Sequence, residues 1–253
     1  GRNNHFSAEE LTHWWGKPVV LFDIDCRDFE RFWRNQYQTS DGFFCSFLGA
    51  SSQQPLFHID MFICLAGHNA EGAEIYVIGE PVRGFPLKDC SADVQAHIDY
   101  IIDTTRGLIN QLIEQLEEQL ADLGRTCEIV RNPLPLVYYD AYNKKKKLKT
   151  RCFAFATSNN VLTEVYTDPS NPQQSVKRVV LPSYGYDSDY SDRKSNYKDT
   201  PYGNWTQMKT FDDAKEKIWS ALGFEVIVLK RNFHSFAKDL GALNCLVNCI
   251  ERT

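Results

Sequence analysis

The sequence predicts an α/β protein assembled from repeated strand–strand–helix–strand units. Three observations carry this. Residues 92–123 hold apolar side chains at helical spacing, short apolar runs flank that stretch, and the same order of elements recurs further along the chain.

The elements follow in order. Ser7 and Glu10 stand at the S-x-x-E spacing of a capping box and open a helix through Trp15. Residues 18–22 read as a buried strand. A polar stretch follows, and then the apolar runs 43–48 and 56–65 read as strands. Across a turn at Gly72 lies the strand 74–79, so that two strands make a hairpin. In the long helix, Val94, Ile98, Ile101, Leu108, Leu112, Ile113, Leu116 and Leu120 form the apolar stripe, and Gly124 is its C-terminal stop. Residues 127–130 form the next strand, ended by Asn132-Pro133.

The second unit starts with strands 151–156 and 161–166 around the turn Ser158-Asn159-Asn160. A strand at 177–181, a helix at 211–222 ending at Gly223, and a strand at 224–229 complete it. The basic run Lys144-Lys145-Lys146-Lys147 reads as a solvated hairpin tip. Residues 183–205, rich in Tyr, Asp and Ser, are too long for a routine connection and read as a binding or capping loop.

Composition narrows the function. The 253 residues carry 28 Lys and Arg against 33 Asp and Glu, a net charge of −5. That balance offers no basic excess to neutralise nucleic-acid phosphates. No stretch approaches the roughly 20 apolar residues of a membrane span. The eight cysteines are scattered, and Cys45, Cys64 and Cys152 lie in apolar runs, where a free thiol acts as a small hydrophobe. No C-x-x-C pair is present, so no structural zinc site is expected. The cysteine usage favours a reducing cytoplasm. Secretion stays open, because the chain starts at Gly1 and a preceding segment is expected.

Two segments carry chemistry. His58-Ile59-Asp60 lies in a predicted strand, where alternation puts His58 and Asp60 on one face. An ionisable pair on an otherwise apolar strand is costly unless partnered, either within the structure or by a ligand. Cys245 sits in Gly241-Ala242-Leu243-Asn244-Cys245, where a loop meets a helix or a final strand. A helix N-terminus there would stabilise a thiolate, whereas local sequence alone also suits a buried structural cysteine. Cys249, one helical turn on, is a redox partner or a coincidence of spacing.

The combination resembles a known family. Residues 57–63, then Ile75-Tyr76-Val77-Ile78-Gly79-Glu80-Pro81, then Ser158-Asn159-Asn160-Val161-Leu162, Val180-Leu181-Pro182-Ser183-Tyr184 and Gly241-Ala242-Leu243-Asn244-Cys245-Leu246 resemble the guanidino-group-modifying enzymes of the pentein superfamily. Order and spacing are closest to the agmatine deiminase and bacterial peptidylarginine deiminase branch. The resemblance covers most of the chain and is weakest at 23–42 and 183–208.

The resemblance implies an α/β-propeller of five ββαβ modules around a central cavity. About three of the five are expected here, with residues 1–253 forming a single catalytic domain that lacks its N-terminal modules. It also implies roles. Cys245 attacks the guanidinium carbon, His58 acts as general acid and then general base, and Asp60 binds guanidinium nitrogens. No metal or organic cofactor is implied. The expected partners are a guanidino substrate, either an arginine side chain or a small guanidine such as agmatine, and an N-terminal segment or separate chain completing the propeller.

The chemistry agrees. Guanidinium is a planar cation whose N–H groups a carboxylate clamps in the plane, leaving the carbon open to a thiolate from above. Two features depart from the family. The upstream carboxylates of the family have no match among Glu9, Glu10, Asp23, Asp25 and Asp28, and Asn244 stands where agmatine-specific relatives often carry His. The sequence reading therefore favours a Cys-dependent deiminase. An amidinotransferase, a non-catalytic interaction module on the same fold and a Cys–His acyl-transfer site are the alternatives.

Overall fold

The computed structural model describes residues 7–22, 37–38, 40, 42, 44–47, 59–85, 91–143, 148–167, 170–171, 175–185, 205–233 and 242–244. The basic run at 144–147 and residues 186–204 of the long Tyr/Asp-rich segment lie outside them. Helix α1 (Ala8–Trp15) carries the expected capping box, with Ser7 and Glu10 bonding each other's backbone N–H.

The first unit consists of β3 (Ile63–His68), β4 (Glu74–Arg83), α2 (Ala92–Asp122) and β5 (Cys127–Asn143). β3 runs antiparallel to β4, and α2 crosses over to return β5 parallel to β4. The second unit is β7 (Leu162–Thr167), β8 (Ser175–Ser183), α3 (Trp205–Ala221) and β9 (Glu225–Asn232). Its pairing is the same: β7 antiparallel to β8, β8 parallel to β9. The predicted ββαβ order is thus present twice. These are the two complete units among the described residues, against the roughly three expected.

The first sheet continues beyond its unit. β6 (Leu148–Phe155) returns antiparallel to β5, β2 (Phe44–Phe47) lies parallel to β6, and β1 (Tyr37–Gln38) closes that edge. The strand orders are β1-β2-β6-β5-β4-β3 and β7-β8-β9, and neither sheet closes on itself. The chain is therefore a mixed α/β protein with two mixed sheets and, among the described residues, three α-helices.

Packing explains why these segments take these forms. All eight apolar positions of the predicted α2 stripe are buried. All but Leu108 join Ile78, Leu134, Leu136, Phe153 and Phe155 of the first sheet in one core. Burial of such side chains contributes roughly 1.5–3 kcal/mol each. Both faces of β4 are covered. Tyr76 and Ile78 face the α2 side, while Ile75 and Val77 join Val179, Leu181, Phe224 and Trp219 of the second unit. Two-sided burial is why β4 reads as a continuous apolar run rather than an alternating one. Gly124 and Gly223, at φ 67° and 83°, end the two long helices where the sequence places their stops.

Three expectations are corrected. Residues 18–22 are not a strand. They carry no regular secondary structure, and the Gln119 side-chain amide binds the Leu21 backbone instead, accepting from its N–H (2.9 Å) and donating to its carbonyl (2.6 Å). Within the strand expected at 56–65, Ile59–Met61 form a 3₁₀ turn and strand begins only at Ile63, so Asp60 does not sit on a strand face; residues 56–58 lie outside the described residues. β5 does not stop at Asn132-Pro133 but runs through Pro133 and Pro135. The Pro135 carbonyl accepts from Ala156 on the side away from β4, and alternation turns Pro133 the same way. Pairing with β6 begins only at Leu136, so the missing N–H groups face a side without a ladder.

Candidate functional site

The site forms where three loops meet. One is the 3₁₀ turn before β3, carrying Asp60. The second is the turn 157–160 between β6 and β7. The third is the segment 242–244 near the C-terminal end. Thr157, Ser158, Asn159 and Asn160 are all buried. Four consecutive buried polar side chains are expensive unless bonded. They are bonded throughout.

Asn159 is the hub. Its amide donates to the carbonyls of Phe62 (3.2 Å) and Val77 (2.8 Å), and its Oδ1 accepts from Asn132 of β5 (3.2 Å). The Thr157 hydroxyl donates to the Met61 carbonyl and accepts from Asn159 N–H. These bonds fix the turn against the start of β3.

Asn160 is thereby aimed at Asp60. Its Nδ2 donates to Asp60 Oδ2 at 2.6 Å, and its Oδ1 accepts the Asn244 backbone N–H at 2.7 Å. That second bond settles which end of the amide is which. The Asn160 carbonyl also accepts from Leu243 N–H at 3.2 Å. Asn244 Nδ2 donates to the same Asp60 oxygen at 3.0 Å. Asp60 Oδ2 thus holds two amide donors in a half-buried position.

Of the three residues singled out from the sequence, Asp60 is in this cluster. His58 and Cys245 lie outside the described residues. Their chain neighbours are in the cluster: Ile59 opens the turn that bears Asp60, and Asn244 binds Asp60 directly. Two groups were not assigned a role from sequence. Asn160 reads only as a turn residue, and Asn244 only as a departure from a family pattern. The available signal was the adjacent pair Asn159-Asn160 between two strands, because a buried amide demands partners.

Cys64 also lies near Asp60. Burial first, and the Asp60 carboxylate second, push its thiol up to about 12, so it is an inert thiol packed against the core of Ile75, Val77, Val179 and Trp219. Burial likewise raises the Cys127 thiol. Neither has the character of a nucleophile. Among the described residues, no three His, Cys, Asp or Glu side chains converge as metal ligands, and no helix is long and apolar enough to cross a membrane.

Compared with known proteins, the chain matches no family model, no curated protein and no solved structure.

Proposed function

We propose that the chain is a Cys-dependent deiminase of guanidino groups, built on a pentein-like fan of ββαβ modules. The observation that carries this is the contact between Asn244 and Asp60. It joins the residue before Cys245 to the acid of the His58-Ile59-Asp60 motif, two segments from opposite parts of the chain. The paired ββαβ units, with identical strand pairing, support the fan. A further segment or chain supplies its remaining modules and the missing carboxylates.

In this reading Asp60 offers its second oxygen to a guanidinium N–H, while Asn160 and Asn244 hold the carboxylate in place. The Cys245 thiolate adds to the guanidinium carbon. The C–N bond then breaks, and His58 protonates the departing ammonia. His58 next takes a proton from water, whose oxygen attacks the thiouronium carbon and expels the thiolate. Substrate plus water gives a ureido product plus ammonia.

A second reading has its own support. Two neutral amides already occupy one oxygen of Asp60, which would anchor a loop in a non-catalytic interaction module without any substrate. Incubation with peptidyl-arginine, free arginine and agmatine, followed by ureido detection, separates the two. Turnover abolished by Cys245→Ser supports the deiminase. Turnover that survives the substitution rejects Cys245 as nucleophile. No turnover, with Cys245 reacting with a haloacetamidine no faster than a surface thiol, favours the interaction module. Transfer of the amidino group to an added amine would instead mark an amidinotransferase.

A further inference from the structure

Tyr184 directly follows β8 and is fully buried. Its phenol donates to the Thr157 carbonyl at 2.6 Å. The Thr157 hydroxyl in turn donates to the carbonyl of Met61, the residue after Asp60. Two hydroxyl donors in series therefore link the second unit to the turn that bears the acid. Core packing alone asks for no such link, since phenylalanine would fill the same space.

The tyrosine is itself held by charge. The backbone N–H groups of Tyr184 and Gly185 both donate to Asp212 Oδ2, at 2.8 and 2.7 Å. Lys215 stands one helical turn along α3, fully buried, with Nζ 3.5 Å from Asp212 Oδ1 and 5.0 Å from the Tyr184 ring centroid. α3 also approaches so closely that a Cβ on Gly185 would lie 2.2 Å from the Lys209 backbone nitrogen. Separating such a pair would leave each group buried without its counterpart, so Asp212 and Lys215 are kept together.

We propose that Tyr184 is a positioning residue for the Asp60 carboxylate, held in register by the buried Asp212–Lys215 pair of α3. Its effect on substrate rests on the guanidino reading above; its effect on the Asp60–Asn160–Asn244 geometry does not.

The test uses the full chain, labelled so that the side-chain amides of Asn160 and Asn244 and the carboxyl carbon of Asp60 are followed by NMR. Tyr184→Phe keeps the ring over Lys215 and removes only the donor. It should move the Asn160 amide and Asp60 carboxyl resonances, and weaken methylguanidine binding about fivefold, as loss of one buried hydrogen bond implies. Unmoved resonances, with only a lower melting point, would overturn the proposal. Should that variant fail to fold, 3-fluorotyrosine placed at 184 decides. Its more acidic phenol is a stronger donor and should move the Asn160 resonance, whereas an unmoved one rejects the link. Wild-type protein that ignores methylguanidine defeats the guanidino reading, while the amide signals still decide the role of Tyr184.

Discussion

Asn244 and Asp60, 184 positions apart in sequence, are joined by a 3.0 Å amide–carboxylate hydrogen bond. Asn160 braces both partners, donating to the acid and accepting from the Asn244 backbone. The arrangement makes Asn160 the most informative position to alter. Asn160→Ala orphans the Asn244 N–H and removes one donor from Asp60, and should cost about 1–3 kcal/mol.

Asn160→Asp should behave differently with pH. It sets two carboxylates at the 2.6 Å contact, and like charges that close do not both ionise. The raised folded-state pKa of the pair leaves stability intact in acid and removes it as pH rises toward neutrality. Urea denaturation at pH 4 and pH 7 should show this variant gaining on Asn160→Ala in acid. An equal gap at both pH values would contradict it.

Asn159→Leu removes the donors to the Phe62 and Val77 carbonyls, both buried in the native fold. The Phe62 carbonyl keeps its bond from Gly79 N–H (2.7 Å), so the variant should lose about 1–3 kcal/mol in all. For a chain of this length that is a melting-point drop of roughly 3–10 °C. A change within a degree or two would mean that the hub is dispensable.

His97 is buried against Phe153, and burial holds its pKa down at about 4, against an ordinary value of 6.5. The unfolded chain therefore binds the proton more readily than the folded one. Stability should fall as pH drops from 6.5 to about 4, by on the order of 3 kcal/mol. His97→Phe should flatten that part of the denaturation-midpoint curve. A curve of unchanged shape would assign the acid sensitivity to other groups.

Two glycines should answer to alanine in opposite ways. Gly107 lies within α2 with open space where a Cβ would stand, so Gly107→Ala should stabilise by about 0.5–1 kcal/mol through helix propensity. Gly185→Ala forces a carbon onto the Lys209 backbone and should displace α3. Calorimetry on the two variants reads the contrast directly.

Much of the fold was legible because its signals are local and periodic. The α2 stripe, the glycine stops and the doubled strand–strand–helix–strand order all follow from spacing. What escaped depends on partners distant in sequence. Leu21 stays outside any strand, with Gln119 satisfying its backbone. Pro133 continues a strand because the β6 ladder begins only at Leu136. At the site, Asp60 was readable as a costly acid in an apolar context. Its place in a 3₁₀ turn and its two amide partners were not, because no local pattern encodes a contact made across the whole chain.

Asn159 ends up grasping the first unit from within the connection that leads into the second. In a linear array, repeats peel away one after another, since each touches only its neighbours through apolar surface. Here, prising the halves apart would break the bonds of a buried amide to carbonyls of the other half. Unravelling should therefore proceed as one concerted event, and neither half is expected to survive excision.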